Sequence, residues 1–265
     1  MKTLTLEDLR LAEDYRHTVS GGTVAATGSG IRFTNPAAPD SAYINAQIDD
    51  YRGLRRSAFA WRPPLTLSIR AHFSHNADRL QGTAGFGFWN DPFMMTSRRP
   101  PTLPRALWFF FASPPSEMAL AQGVRGWGWK AATIDARRPA FLALTPTAPL
   151  ALPLMHSRWL YKKLWPTAQR ALGVSEAILD VEMRDWHDYV IVWQDELVEF
   201  LVDGRRVLQA QTAPVGPLGL VIWLDNQAMI VTPQGKIRHG LLARPEAQWM
   251  QIEQLTARIG SSPTA

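Results

Sequence analysis

Two short stretches place oxygen-bearing side chains directly behind a tryptophan. Trp89-Asn90-Asp91 closes one apolar run, and Trp223-Leu224-Asp225-Asn226 closes another. An indole face stacks on flat, weakly polar surfaces. A carboxylate or amide beside it can hydrogen-bond hydroxyls or ligate a hard cation through oxygen. Both stretches also have turn composition, so a plain loop reading stands beside the ligand reading. Trp127 and Trp129 are two apart in Gly-Trp-Gly-Trp and fall on one side of a strand, as a stacking platform or as packing between sheets. Asp180 and Glu182 would likewise share a strand face, which acid–base chemistry requires. Exposed alternating carboxylates on an outer sheet are the plainer reading of that pair.

The elements that would position these residues are strands. LTLSIRAHFS (65–74) alternates Leu65, Leu67, Ile69, Ala71 and Phe73 with polar residues. GTAGFGFWND (82–91) follows. ALWFFFAS (106–113) is apolar on both faces, as a covered central strand would be. GWGWKAATID (126–135), AILDVEM (177–183), GPLGLVIWLDN (216–226) and QWMQIEQLTARI (248–259) complete the set. Asp203-Gly204 is a tight-turn signal after Phe200-Leu201-Val202. Trp186, Tyr189 and Val202 are expected in an interior hairpin. Many strands at turn-punctuated spacing predict a β-sandwich or jelly roll.

Residues 139–175 break the pattern. PAFLALTPTAPLALPLMHS (139–157) is apolar but interrupted by four prolines, and reads as a Pro-rich loop. SRWLYKKLWPTAQRALG (157–173) has a helical period, with Leu160, Leu164, Ala168 and Leu172 on one stripe and Arg158, Lys162 and Arg170 nearly opposite. Pro166 is expected to kink or restart the helix. The favoured reading is a lid whose leucines lie on the sandwich. A basic amphipathic stretch with Trp159, Tyr161 and Trp165 also suits peripheral membrane contact through 157–173, or a partner's groove.

WHDYVIVWQDELVEFLVDGRRVL (186–208) resembles the Trp/Phe-His-x-Tyr strand and the Val-Asp-Gly-ending strand of laminarinase-type family 16 glycoside hydrolases. LTLSIRAHF, GTAGFGFWND and QWMQIEQLTA are similar to further strands of those enzymes and their concanavalin-like relatives. The resemblance covers about two-thirds of the chain. It implies a jelly roll of two antiparallel sheets. It also implies a catalytic Glu-x-Asp-x-(x)-Glu on the strand after the Ala-Phe-Trp segment. Alternate residues there put nucleophile and acid about 5–5.5 Å apart for a retaining reaction. The corresponding strand here, Ala106-Leu107-Trp108-Phe109-Phe110-Phe111, contains no carboxylate. Asp180 and Glu182 lie out of order for the family, with Ile178 where its first Glu would stand.

Composition bounds the rest. With 265 residues, 46% of them hydrophobic, the chain can bury one large core. It reads as a single β-sandwich domain over 1–265 with an insertion at about 139–175. Eleven Trp suit sugar stacking or a Trp-filled core, and the core is favoured. No Cys is present, so disulfides and thiolate chemistry are excluded. The net charge is +5, but six of the 28 basic residues lie between Ala136 and Ser175, where no acid occurs. The remaining 22 face 23 acidic residues, which argues against nucleic acid as a partner. No bilayer-spanning run and no secretory h-region occur, so a cytoplasmic location is expected. The six histidines give no metal pattern, and no nucleotide or hydrolase fingerprint suggests a cofactor.

Together these readings predict a non-catalytic carbohydrate-binding module, or a degenerate glycoside hydrolase relative, with its ligand on the concave sheet. Trp89, Trp127, Trp129 and Trp223 would stack; Asn90, Asp91 and Asp225 would take hydroxyl hydrogen bonds. No catalytic residue, metal or cofactor is assigned. One alternative is an active hydrolase or lyase with relocated acids among Asp91, Asp225, Asp180 and Glu182. The other is a binder of an apolar ligand, or a membrane-surface protein using the insertion, suggested by the aromatic run Trp108 to Phe111.

Overall fold

The computed structural model describes residues 3–11, 16–92 and 100–260. In chain order, the first strands are β1 (Thr3–Thr5), β2 (Arg16–Ser20), β3 (Thr23–Ala26), β4 (Ile31–Asn35) and β5 (Asn45–Asp49). Then come β6 (Leu65–Phe73), β7 (Thr83–Trp89), β8 (Arg105–Ala112) and β9 (Gly128–Asp135). After the helical insertion follow β10 (Ser175–Ile178), β11 (His187–Trp193), β12 (Val198–Val202) and β13 (Arg205–Ala210). The chain closes with β14 (Gly219–Asp225), β15 (Gln227–Val231), β16 (Ile237–Leu241) and β17 (Gln248–Ile259).

Two antiparallel sheets face each other. One has the order β13-β12-β11-β6-β17-β4-β3, with β1 also on β17; the other has the order β10-β9-β8-β7-β14-β5-β2. β15 and β16 form a separate hairpin. The core lies between the two sheets. Phe33, Phe73, Phe86, Phe109, Trp129 and Tyr189 are among its fully buried rings. Phe109 meets Phe200 edge-on at 5.3 Å and Tyr189 at 5.0 Å, a geometry that ring quadrupoles favour.

The β11–β12–β13 corner accounts for the Trp-His-x-Tyr stretch. Asp203 and Gly204 both take positive φ (50° and 74°) at the tight turn. His187 Nδ1 lies 2.6 Å from Asp203 Oδ2, and the Asp188 N–H donates to Asp203 Oδ1 at 2.9 Å. These bonds outweigh partial burial and hold the Asp203 carboxyl below the usual range. Tyr189 and Val202 pair across the hairpin and are buried as expected. Trp186 is not: it precedes β11 and stacks on His72 of β6 on the outer face (3.8 Å, 29°).

The expected Pro-rich loop at 139–157 is helical instead. α1 (Leu6–Leu11) lies near the N-terminus. The insertion comprises α2 (Pro139–Leu144), a 3-10 turn (Thr145–Thr147), α3 (Ala148–Leu154) and α4 (Arg158–Ala171). Pro139, Pro146 and Pro149 each fall in the first two positions of their helix, where a missing N–H is no loss. α4 continues through Pro166 rather than restarting there. AILDVEM is strand only as far as Ile178, so Asp180 and Glu182 sit in the following loop.

Candidate functional site

Strand register builds a cleft on the outer face of the second sheet. One row across it reads Lys130, Phe110, Gly85, Trp223 and Gln47. The next reads Ala132, Trp108, Gly87, Val221 and Asp49. A third brings Ile134, Ala106, Trp89 and Gly219 into line. β8 thus turns Ala106, Trp108 and Phe110 to the cleft, and Leu107, Phe109 and Phe111 to the core.

The two glycines of β7 make the aromatic floor fit. A Cβ on Gly85 would stand 2.7 Å from Trp223 Cη2, and one on Gly87 would stand 2.7 Å from Trp108 Cβ. Bare backbone therefore lets the indoles lie close over the strand. Trp108 stacks on Phe110 at 5.4 Å and 24°, and touches Trp223 at 5.6 Å and Trp89 at 5.8 Å. Trp89 donates its indole N–H to the Tyr51 hydroxyl beneath it. Trp89 and Trp223 are nearly buried by these neighbours, while Trp108 and Phe110 are half-buried. The cleft above them holds about 190 Å³ and is lined mostly by apolar side chains.

Its polar groups are largely engaged with the protein itself. Asp225 Oδ1 accepts from Thr83 Oγ1 at 2.8 Å and from the Gln227 N–H at 2.9 Å. Thr83 Oγ1 in turn accepts from Trp223 Nε1 at 2.9 Å. Burial pushes the Asp225 carboxyl up to about 6, against the pull of those hydrogen bonds and of the Arg244 charge. On the opposite wall Lys130 Nζ lies 3.3 Å from Glu176 Oε1, with side chains 2% and 7% exposed. Burial lowers the Lys130 pKa and raises that of Glu176, while their mutual attraction opposes both shifts. Lys130 also donates to Met118 O, and Glu176 accepts from the Ala121 N–H at 2.7 Å. The pair therefore pins the loop that brings Met118 and Leu120 to the cleft wall.

The insertion backs this same loop. Trp165 Nε1 donates to Leu120 O at 2.7 Å, and Gln169 Oε1 accepts from the Gln122 N–H at 2.9 Å. The packed stripe is Tyr161, Trp165, Ala168 and Leu172, rotated from the expected one. Leu160 is half-buried and Leu164 is 37% exposed.

Of the residues singled out in the sequence, the cleft gathers Trp89, Trp223 and Asp225. Asn90 instead braces the β7–β8 connection, donating to Leu103 O and accepting from the Arg105 N–H. Asp91 is buried at φ 45°, and its carbonyl accepts from Arg56. Trp129 is in the inter-sheet core, 1% exposed, whereas Trp127 precedes β9 and lies under Arg125, 4.3 Å from the ring centre. The two do not share a platform. Asp180 is exposed, and Glu182 accepts from Asn76 on the other side of the molecule's core. The floor residues Trp108 and Phe110, and the wall residues Gln47, Thr83, Lys130 and Glu176, were not singled out individually. A strand apolar on both faces beside Gly-x-Gly was the available signal. Among the described residues no group of His, Asp or Glu could hold a metal ion.

The fold is the concanavalin-like jelly roll. The chain is similar to Crh5 transglycosylase in complex with NAG (12% identity, TM-score 0.50), covering 98% of this chain and 84% of that one. It is similar to the GlcNAcα1-4Gal releasing endo-β-galactosidase from Clostridium perfringens (10% identity, TM-score 0.55), covering 97% of this chain and 61% of that one. The Bacillus licheniformis β-glucanase matches at 9% identity and TM-score 0.50, over 96% of this chain and 97% of that one. No family model and no curated protein matches. At such identities the likeness is one of fold. Glycoside hydrolases thus share this architecture.

Proposed function

We propose that the chain is a non-catalytic binding protein of this fold that holds its ligand against the aromatic floor of the concave sheet. One observation carries the reading: β8 offers the cleft Ala106, Trp108 and Phe110, and no carboxylate. The resemblance places the nucleophile and acid/base of family 16 hydrolases on this strand. Without them the nucleophilic and proton-transfer contributions, each worth orders of magnitude in rate, have no source there. Asp225 is a poor substitute, since its oxygen is occupied by Thr83 and Gln227.

A sugar ring is the first candidate ligand. Its flat C–H face would stack on Trp108 and Phe110, with Gln47 and Lys130 closing the two ends of the row. The transglycosylase and glycosidase neighbours support this class. A second reading, an apolar ligand, is favoured by the committed state of the polar groups. Asp225, Thr83, Glu176 and Lys130 all bond within the protein, and a sugar's hydroxyls need partners of their own.

Indole fluorescence titration separates the two. β-Glucan oligosaccharides are expected to quench the wild type and to leave Trp108→Ala unchanged. Quenching by small aromatic hydrocarbons alone would replace the sugar with the apolar ligand. Release of reducing ends that Asp225→Asn abolishes would overturn the non-catalytic reading altogether.

A further inference from the structure

We infer that the helical insertion docks on an anionic membrane surface through the face it turns away from the sandwich. Its inner face is accounted for by Trp165 and its neighbours. The outer face is left uncovered and is apolar and basic at once. Leu150 and Leu154 lie one turn apart on α3, and Leu150 is 72% exposed. Trp159, 63% exposed, shares a face of α4 with Lys163, whose ammonium sits 4.0 Å from the ring centre. The β15–β16 hairpin extends the patch. Leu152 of α3 lies 3.6 Å from where a Cβ on Gly235 would stand, and the next residues are Lys236, Ile237 (75% exposed) and Arg238. Six of the nine large apolar side chains exposed among the described residues belong to the insertion or this hairpin. That concentration marks a contact surface rather than scattered exposure.

Charge selects the occupant. The insertion carries Arg137, Arg138, Arg158, Lys162, Lys163 and Arg170, with no acid between Ala136 and Ser175. None of the six forms an ion pair among the described residues. A second copy of the chain would bring two such clusters together, so like-charge repulsion opposes self-association. An anionic lipid surface instead offers phosphates to the cations and a headgroup–acyl boundary to Trp159 and the leucines. The helices lie on the surface and do not span it, since none among the described residues is long and apolar enough to cross.

Vesicle co-sedimentation of the whole chain tests the inference. Pelleting is expected with phosphatidylcholine vesicles containing phosphatidylglycerol and not with phosphatidylcholine alone, and it should fade with added salt. Lys162→Glu with Lys163→Glu should lower partitioning more than about tenfold, at roughly fivefold per basic residue. Leu150→Ser with Trp159→Ser should lower it comparably. Because all four side chains are exposed, both variants should keep the wild-type thermal midpoint. No pelleting with anionic vesicles, equal pelleting with neutral ones, or undiminished binding by both variants would overturn it. Binding in the cleft is unaffected in either outcome, so this result is independent of the ligand proposed above.

Discussion

β6 and β8 are interior strands of the two sheets and solve the same problem differently. β6 alternates strictly: Leu65, Leu67, Ile69, Ala71 and Phe73 go to the core, and Thr66, Ser68, Arg70 and His72 face out. Arg70 there meets Asp188 and Glu253, each at 3.3 Å. β8 sends Leu107, Phe109 and Phe111 to the same core but faces out with Ala106, Trp108 and Phe110. Both strands pair fully with their neighbours, so folding does not require an aromatic outer face. A half-exposed layer of rings is an association hazard that a merely structural sheet would avoid. The departure from alternation therefore locates the site better than any single residue does.

The largest expected effect separates the two faces of β8 itself. Phe109 is fully buried among Phe86, Trp129, Tyr189 and Phe200. Phe109→Ala should cost about 3–5 kcal/mol through lost burial and an unfilled cavity. Trp108→Ala, one residue away, should cost about 1–2 kcal/mol, because its ring is half-buried and its space opens to the cleft. Urea denaturation measures both. Equal losses would make the outer rings a second core and remove the case for a binding floor.

The second effect is a pH dependence confined to the cleft side. Burial raises the folded pKa of Asp225 to about 6, above the ordinary carboxylate value. The folded state then holds a proton that the unfolded state has released, so this group's contribution falls as pH rises from about 4 to about 6. Over that window the loss is about 3 kcal/mol, taking ~1.4 kcal/mol per pKa unit. Asp225→Asn should flatten the stability–pH profile there. An unchanged slope in the variant would place the carboxylate in a wetter setting than the Thr83 and Gln227 bonds describe.

How much of this was legible follows the same division. The period-2 pattern of β6, the Asp203-Gly204 turn and β17, predicted residue for residue at 248–259, were readable because backbone chemistry and one-sided burial act locally. The insertion was readable as an interruption, yet its prolines misled, because their placement in first turns depends on where each helix begins. Trp127 and Trp129 share a face only if both are in the strand, and β9 starts at Gly128. In the cleft, Asp225 stood out beside Trp223, but the rows that bring Phe110, Gly85, Trp223 and Gln47 together are a matter of inter-strand register. No local pattern encodes that.

The smallest expected effect lies on the outer face of β6, where the comparison is sharpest. Trp186 was expected inside the β11–β12 hairpin, where its loss would cost ~3–5 kcal/mol. Instead it lies flat on His72, with the Arg70 guanidinium 5.7 Å from its ring centre. It is only half-buried and its ring partners are the polar side chains of His72 and Arg70, so Trp186→Ala should cost nearer ~1 kcal/mol. Arg70→Ala should cost less still. Its side chain is 33% exposed, and its partners Asp188 and Glu253 are 55% and 34% exposed, so water screens most of the attraction. Pairs of that kind contribute under about 1 kcal/mol and weaken with salt. Thermal melts at low and high ionic strength provide the measurement. A loss in Arg70→Ala matching that of Trp108→Ala, and insensitive to salt, would mean the polar face of β6 carries as much of the molecule's stability as the aromatic face of β8. The contrast between them would then say nothing about function.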